Sequence, residues 1–449
     1  MPSCSNDDDW NTGGYLSFSS DTLNFETVFS ETGSPTMQLR IYNKGAKKLN
    51  IDNIELVNAA KSGFRMNLDG ESGEKFGNVE LLKKDSLFAF IEITPKSIPS
   101  GAPVVIRDSI RFDINGNTQY VQLEAIGQDV YVWKGNVINT DSHLSDDKPY
   151  LIYDSLVVAE DARLTIPQGV TFYFRRNSSL KIRGAVDAQG TIDKPIVMRG
   201  DRFGDVVNGV SYDNVSGQWQ GIVFYDKSFD NSLNNVIAKN AVEGMVFKES
   251  SLTSLKARLI NVVVQNTSEN GVVATNCNIV AENCLFANSR GAALLVVGGK
   301  YAFTHCTIVN YYEWSSRRYN ALGISNYWTV GATFPLEQCD IVNSIIYGSV
   351  SQEYNIDQAI GGAFNYKFVN CLIRDTGENI SSQFINCIWN ADPRFVNVNG
   401  NRDYNYNFEL GLLSPAIDQA DNSLSLPTDI KGQLRPNGLK SDIGCYEWY

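Results

Sequence analysis

The sequence of 449 residues predicts an all-β protein with two domains, a β-sandwich followed by a parallel β-helix. Three observations predict this class. Apolar and polar residues alternate in short runs through the first 130 residues, a segment of about 22 residues recurs through the rest, and no useful helical periodicity appears. Hydrophobic residues make up 43% of the chain, which is enough to build a sizeable core.

The first domain, residues 13–130, consists of alternating segments. Met37, Leu39 and Ile41 fall on one face of an extended chain, and comparable runs recur between turn residues. Asn115-Gly116 separates two of these runs, and this pair favours a hairpin because both turn residues need positive φ. Short strands at this spacing predict a sandwich. We expect residues 1–12 to act as a tether in front of it.

The opening of this domain carries a resemblance. The segment LSFSSDTLNFETVFSETGSPTMQLRIYNKG resembles the start of bacterial immunoglobulin-like domains. The resemblance implies an immunoglobulin-like sandwich that spaces or docks the neighbouring domain. Residues 13–130 contain neither a cysteine nor a catalytic constellation, so structural support is the expected role.

The second domain, residues 131–449, contains an internal repeat. Its copies begin at Asn235, Asn261, Asn283, His305, Gln338, Asn370 and Asn386. The separations are 26, 22, 22, 33, 32 and 16 residues. A unit of about 22 residues matches one coil of a parallel β-helix, in which equivalent residues stack about 4.8 Å apart. The two long separations predict a first excursion at residues 311–333 and a second at residues 350–364.

Two residue types recur at fixed positions of the repeat and predict ladders. Cysteine fills one position, at Cys284, Cys306, Cys339, Cys371 and Cys387. We expect buried free thiols there rather than disulfides or zinc ligands, because parallel side chains have unsuitable Cβ directions. Asparagine fills another position, at Asn240, Asn266, Asn288, Asn310 and Asn343. Their amides are expected to bond along the stack and to satisfy turn backbone groups.

Two further segments carry a resemblance to known β-helix proteins. SLKIRGAVDAQGTIDKPIVMRG resembles a recurrent coil of right-handed, pectate-lyase-like parallel β-helices. SPAIDQADNSLSLPTDIKGQLRPNGLKSDIGCYEW resembles the closing motif of bacterial surface β-helix proteins, with Cys445 in place of the usual alanine. The resemblance covers about residues 150–449. It implies a right-handed β-helix and a surface location, and it implies no single reaction.

The first residues predict a location. Ser3-Cys4 resembles the end of a lipobox, and the acidic run that follows resembles the surface-export signal of Bacteroidetes-type lipoproteins. We therefore expect lipidation of Cys4 and a lipid-anchored protein on the outer-membrane surface. The alternative is a polar start with an incidental cysteine. No run of about 18 apolar residues occurs, so the lipid is the only expected membrane contact.

Charge and motifs argue against several functions. The net charge of −12 disfavours nucleic acid and makes an acidic polysaccharide a harder ligand unless a local basic patch intervenes. Only His143 and His305 are available for base catalysis, and His305 occupies a turn position. Asn139-Thr140-Asp141 resembles part of a polygalacturonase motif, but no Gly-His-Gly or Arg-x-Lys accompanies it. We expect no cofactor and lean against an enzyme.

The first excursion carries the candidate ligand-binding residues. These are Tyr311, Tyr312, Trp314, Arg317, Arg318, Tyr319 and Trp328. Aromatic faces beside arginine suit sugar rings or a protein partner, and binding groups often lie on loops held by a rigid scaffold. Equally, these aromatic residues could pack against the coils. A second aromatic loop, residues 203–219, could cover the same face.

The closing segment, residues 414–449, contains an acidic cluster with one arginine. Its members are Asp418, Asp421, Asp429, Arg435 and Asp442. They could bind calcium, but pairing to cap the last coil is favoured over a metal site. Three functions remain open: a surface protein that binds a glycan or protein, a polysaccharide lyase or hydrolase, and an accessory subunit of an outer-membrane assembly. The first is preferred, and fold alone cannot separate them.

Overall fold

A computed structural model describes residues 10–11, 13–96, 102–207, 209–329, 332–378, 381–399 and 404–449. Cys4 and most of the expected tether lie outside these residues. The chain divides into two compact units, Met1–Val130 and Tyr131–Tyr449. The described residues are all-β, apart from the short helix Ala59–Ser62 and the 3-10 turns Tyr212–Asn214 and Asn422–Leu424.

The described part of the first unit contains two five-stranded sheets. Sheet A has the order Ser17–Phe18, Met37–Tyr42, Ser86–Ile93, Phe64–Leu68 and Glu71–Gly73. Sheet B has the order Thr22–Phe29, Asn117–Gln128, Val104–Ile114, Leu49–Leu56 and Lys75–Leu81. Alternate residues of both sheets, such as Ile91 and Phe112, enter one apolar core. Asn115 (φ 51°) and Gly116 (φ 81°) turn the longest hairpin, as predicted.

The second unit contains three large parallel sheets. Sheet C consists of Tyr131–Lys134, Tyr150–Tyr153, Thr171–Phe174, Ile196–Gly200, Val236–Lys239, Val263–Thr267, Leu285–Ser289, Thr307–Asn310, Ile345–Gly348, Leu372–Ile373 and Ile388–Trp389. Sheet D consists of Val137–Ile138, Ser155–Val158, Ser179–Ile182, Gly221–Phe224, Met245–Phe247, Val272–Thr275, Leu294–Val297, Leu322–Ser325 and Tyr354–Asp357. Sheet E consists of Ser142–His143, Arg163–Ile166, Ala185–Gln189, Asn231–Asn234, Ala257–Ile260, Asn278–Glu282, Gly299–Thr304, Leu336–Val342, Lys367–Val369 and Phe384–Ile385.

Each regular coil gives one strand to sheet C, then one to sheet D and one to sheet E. This order is the repeat architecture of a parallel β-helix, and it confirms that part of the prediction. Three antiparallel strand pairs lie outside the three sheets among the described residues: Asp205–Val207 with Val210–Ser211, Tyr327–Thr329 with Ala332–Thr333, and Phe395–Asn397 with Asn407–Leu410.

Equivalent apolar residues of successive coils stack in a continuous core. Phe224 stacks on Phe247, the equivalent residue of the next coil, with 4.3 Å between ring centroids. Phe174 of sheet C also stacks, at 4.2 Å, on Trp219, which lies just before a strand of sheet D. Burial of such rings removes large apolar areas from water and adds favourable offset stacking. The core therefore holds the coils in register.

The cysteine ladder is confirmed in part. Cys284, Cys306 and Cys371 are buried and free, and each immediately precedes a strand of sheet C. Cys339 belongs instead to sheet E, where it aligns with Tyr301. The insertion within the longer coil shifts the sequence alignment there, and Ser344 occupies the position predicted for Cys339.

The corner before sheet C explains the repeated asparagine. This position has left-handed backbone conformation in successive coils, at Asn235, Asn261, Asn283, His305, Asn343, Asn370 and Asn386. Asparagine tolerates this conformation better than other non-glycine residues. An amide contact along the stack occurs at this corner, between Asn261 and Asn235, whose side chains lie 3.3 Å apart; the ladder was predicted at a different position of the repeat. At the predicted position, the Asn240 and Asn310 amides donate to backbone carbonyls, which is the expected satisfaction of turn groups. Asn343 was misaligned, because Gly348 aligns with Asn310 and Asn343 lies at the corner.

Candidate functional site

Most aromatic residues of the first excursion are used in packing. Tyr311 and Tyr312 are buried, and the Tyr312 hydroxyl lies 3.1 Å from Ser216 Oγ. The Trp314 ring stacks on Tyr404 with 4.0 Å between centroids, and its Nε1 donates to the Asn214 carbonyl at 3.0 Å. Tyr312 and Trp314 thus join the excursion to the loop of residues 203–219, and Trp314 also packs on Tyr404.

Both arginines of the excursion have carboxylate partners. Arg317 contacts both oxygens of Glu353, at 2.9 and 2.7 Å, and the two side chains are only 7% and 0% exposed. Arg318 is exposed and lies 3.1 Å from Glu269. Arg317 is therefore an internal tie, and Arg318 remains at the surface.

Tyr319 and Trp328 are the two predicted ligand-binding aromatics that reach an open cavity. Their exposed fractions are 64% and 47%, and both line a cavity of about 280 Å³ on the outer face of sheet D. A strand of sheet D separates them in sequence, because the excursion leaves the coil in two pieces, residues 311–320 and 326–335. Of the seven predicted residues, Tyr319 and Trp328 share this cavity, and Arg317, Arg318 and Tyr319 line a neighbouring one of about 350 Å³.

The outer face of sheet D has an apolar floor. Side chains alternate along each strand, so Leu294 and Val296 enter the core while Leu295 faces outward. The parallel register aligns the outward residues of successive coils into one column, consisting of Lys181, Val223, Val246, Val273, Leu295, Gly323 and Asn355. Four consecutive members of this column are apolar.

Polar and aromatic side chains form the borders of this floor. Asn270 Nδ2 lies 3.5 Å from Glu243 Oε1, and Asn270 Oδ1 accepts a hydrogen bond from Ala292 N at 3.0 Å. Across the floor, Trp328 Nε1 donates to Thr275 Oγ1 at 3.1 Å. The pair of strands Tyr327–Thr329 and Ala332–Thr333 carries this indole.

A second cavity, of about 900 Å³, continues from the first along the same face. It is lined by Lys181, Gln220, Glu243, Lys248, Glu249 and Phe334, among others, and shares Asn270 and Trp328 with the smaller cavity. We call the two together the sheet D groove. It follows seven strands from Ser179–Ile182 to Tyr354–Asp357, a span of about 29 Å at 4.8 Å for each step.

The groove contains one carboxyl group with an altered acidity. Burial raises the pKa of Glu243, and the nearby Glu269 carboxylate acts in the same direction against the Asn270 hydrogen bonds. Within the described part of the chain, Glu243 Oε2 has no hydrogen-bond partner. Lys181 and Lys248 form no ion pair with any described residue. The groove therefore offers amides, a carboxyl group and ammonium groups beside an apolar floor.

Sequence reasoning missed this floor and its charged residues. A signal was present, since VVAT at 272–275 and LLVV at 294–297 are apolar on both faces of a strand. In a β-helix one face already fills the core, so a second apolar face marks a candidate contact surface. Glu243, Lys181 and Lys248 lie in no recognisable motif.

The acidic cluster of the closing segment is used internally. Asp442 accepts hydrogen bonds from Asp418 N and Trp448 N, both at 2.7 Å, and Asp429 accepts from Lys431 N at 2.8 Å. Arg435 pairs with the buried Glu447 at 2.9 Å. No group of three or more His, Cys, Asp or Glu residues among the described residues is arranged to hold a metal ion.

The closing segment packs along a flank of the coils. Its Cys445 and Ile443 join the outward residues Ile345 and Leu285 of sheet C in a second apolar cluster. His305 links the two, with its ring nitrogens 3.2 Å from the Gly444 carbonyl and 3.1 Å from Ser425 Oγ. The contacts thus cover the outer face of sheet C, whereas the sequence suggested a cap on the last coil.

The first unit has a cavity of its own, of about 540 Å³, on sheet A. Phe90 lines it with three charged residues, of which Arg65 and Glu92 lie 3.1 Å apart and pair with each other, while Glu74 is the third. The sheet D groove therefore remains the stronger candidate. Among the described residues, no helix is long and apolar enough to cross a membrane.

Comparison with known proteins adds only distant likenesses. No protein-family description and no curated protein matches this sequence. One similar solved structure is a family 123 glycoside hydrolase from Clostridium perfringens, with 11% identity over 26% of this chain and 30% of that chain and a TM-score of 0.19. Others are the PapD-like domain 7 of human CEP192 (12% identity, 26% of this chain, 87% of that chain, TM-score 0.18) and the periplasmic chaperone SfaE (10%, 26%, 58% and 0.18). Likenesses of this size assign neither fold nor function.

Proposed function

We propose that this protein binds a polysaccharide chain in the sheet D groove. The proposed setting is the cell surface of the outer membrane, with a lipid anchor at Cys4 and an immunoglobulin-like spacer in front of a right-handed, pectate-lyase-like β-helix. The observation that carries the proposal is the alignment of an apolar column with exposed Trp328 and Tyr319 along one open groove.

The form of the groove favours a polymer over a small ligand. Its length of about 29 Å exceeds that of a compact molecule, and its apolar floor continues through four successive coils. Sugar rings have apolar C–H faces and polar edges. The floor of Val246, Val273 and Leu295 suits the faces, whereas Asn270 and the other amides suit the hydroxyl groups.

A binding experiment with one matched control tests the proposal. The full chain is run through native gels that contain neutral or acidic polysaccharides, and retardation gives the affinity. We expect Trp328→Ala to weaken binding at least about tenfold, because an aromatic at the centre of an interface usually contributes more than about 1.4 kcal/mol. Trp448→Ala removes a comparably exposed indole from the closing segment and should leave binding unchanged.

Two results would redirect the assignment. Equal retardation of wild type and Trp328→Ala would place the ligand elsewhere on the molecule. Retardation by no polysaccharide would reject the proposal and turn attention to a protein partner in a membrane assembly, sought by pull-down with the lipidated chain.

Cleavage is the second candidate, favoured by the raised pKa of Glu243 within the groove. A raised pKa is the direction that a general acid requires, because it favours the protonated form. Glu249, another acid of the same cavity, lies beyond the intervening strand Met245–Phe247. Release of reducing or unsaturated ends that stops in Glu243→Gln would establish an enzyme. If a polymer binds but no reducing or unsaturated ends are released from it, the protein is a binding protein rather than an enzyme.

A further inference from the structure

Charged side chains are distributed unevenly along the sheet D groove. The larger cavity contains two lysines, Lys181 and Lys248, with the acids Asp226, Glu243 and Glu249. The smaller cavity contains Asp357, and no Lys or Arg of the described chain lines it. Positive charge is therefore confined to one end of the groove.

The basic residues closest to the smaller cavity do not alter this distribution. Arg318 lies beside Tyr319 but pairs with Glu269 at 3.1 Å. Arg317 is buried against Glu353. Neither guanidinium group lines the smaller cavity. Both line a neighbouring cavity that shares Tyr319 and Asn320 with it, but their charges are already paired with carboxylates.

The apolar floor is a second reason to expect the groove to disfavour negatively charged ligands. Val246, Val273 and Leu295 offer no hydrogen-bond donors from their side chains, so a carboxylate placed over them loses water without compensation. At the far end, Asp357 would face it as a like charge, and its Oδ2 already accepts the Tyr327 hydroxyl at 2.5 Å. A polymer with a carboxylate on every sugar meets both costs repeatedly.

We propose that the sheet D groove selects neutral polysaccharides and rejects uniformly acidic ones. This inference rests on the function proposed above and names its ligand class. The whole chain, with a net charge of −12, repels a polyanion at long range, and the groove does not reverse that field.

Matched polymer pairs that differ in charge test the inference. One pair is polygalacturonate and its fully methyl-esterified form, and another is carboxymethylcellulose and hydroxyethylcellulose. At about 20 mM salt we expect the neutral member to bind at least about tenfold more tightly, and at about 500 mM salt the difference should shrink because exposed charges are screened.

Charge variants of the groove make the test specific. Asp357→Asn should reduce the difference in affinity between the neutral and the acidic polymer at low salt. A double Lys181→Gln, Lys248→Gln variant should increase that difference. Asp193→Asn removes an exposed carboxylate outside the groove and should change nothing.

The outcomes separate this inference from the function on which it rests. Tighter binding of the acidic member, lost in Trp328→Ala, would overturn the neutral preference while supporting the groove as a glycan site. Binding of neither member of any pair, at either salt concentration, would overturn both. A neutral preference that none of the charge variants changes would also overturn the inference, because the groove charges would then not be its cause.

Discussion

Arg317 and Glu353 form a buried ion pair that ties the first excursion to the second. Glu353 also accepts hydrogen bonds from Val350 N at 2.9 Å and Ala321 N at 3.0 Å, so both carboxylate oxygens are satisfied. The guanidinium group additionally donates to the Asn310 carbonyl at 2.7 Å. Tyr319 follows two residues after Arg317, so this tie fixes the segment that brings Tyr319 to the groove.

Removal of one partner from this pair should destabilise the second unit strongly. Arg317→Ala leaves a buried carboxylate without its cation, which typically costs about 3–5 kcal/mol. Urea unfolding followed by tryptophan fluorescence measures this, since six of the seven tryptophans lie in the second unit. Arg318→Ala breaks an exposed pair and should cost less than about 1 kcal/mol. Equal effects of the two variants would contradict the internal role of Arg317.

Trp314 and Trp328 should behave oppositely although they belong to the same excursion. Trp314→Ala removes a ring stacked on Tyr404 and should lower the free energy of unfolding by about 2–3 kcal/mol. Trp328 is 47% exposed, so Trp328→Ala should cost less than about 1 kcal/mol while weakening binding. Polysaccharide affinity and urea unfolding of both variants provide the comparison. Loss of affinity in Trp314→Ala at unchanged stability would reverse these assignments.

More of the fold than of the site could be predicted, because the sequence patterns that indicate the fold are local. Alternation and the repeated corner asparagines follow from the geometry of each coil, and they identified the parallel repeat architecture. The alignment failed at Cys339, because an insertion within one coil placed this residue in sheet E. The periodicity of the sequence does not show how long such an insertion is, so the alignment of the residues after it cannot be predicted.

The site depends on residues that only the stacked coils bring together. Val223, Val246, Val273 and Leu295 are separated by more than 20 residues in sequence and become neighbours only through the parallel register. The aromatic composition of the first excursion suggested a ligand-binding surface, and of its aromatic residues Tyr319 and Trp328 are exposed. It could not distinguish them from Tyr311 or Tyr312, because burial there depends on loops about 100 residues away in sequence, such as the one that contains Ser216.

Because of Lys256, we expect the free energy of unfolding to increase as the pH rises above neutral. Its side chain is fully buried and donates to the Tyr225 carbonyl at 2.6 Å and the Ser228 carbonyl at 3.2 Å. Burial lowers its pKa to about 8 from the usual 10.5. Between these values the unfolded chain binds a proton that the folded chain does not, so stability rises with pH.

The expected gain between pH 7 and pH 9.5 is about 2 kcal/mol from this group. Lys256→Met keeps the length and apolar character of the side chain and should abolish that gain. The exposed Lys300→Met serves as control and should retain it. Urea unfolding of the three proteins at both pH values gives the measurement. An identical alkaline gain in Lys256→Met would contradict the assignment.

We expect His305 to lower the stability of the protein at acid pH, through its contacts with the closing segment. It is fully buried, and burial lowers its pKa well below the usual value, assisted by the positive charge of Arg435. Below about pH 6.5 the unfolded chain therefore binds a proton that the folded chain excludes, and stability falls as the pH falls. Asp442 acts in the opposite direction, since burial raises its pKa to about 6 and protonation of the folded state favours folding below that value.

His305→Asn separates the two effects. Asparagine occupies the equivalent corner in neighbouring coils and tolerates the left-handed backbone of residue 305 (φ 50°), so the coil itself should remain intact. At pH 7 the variant should be less stable than wild type, because the bonds to Gly444 and Ser425 are lost. Between pH 7 and pH 5 that deficit should shrink, since the variant has no buried imidazole to exclude a proton. The exposed His143→Asn should follow the wild-type pH dependence, and a deficit in His305→Asn that stays constant with pH would show that residue 305 does not cause the acid weakening.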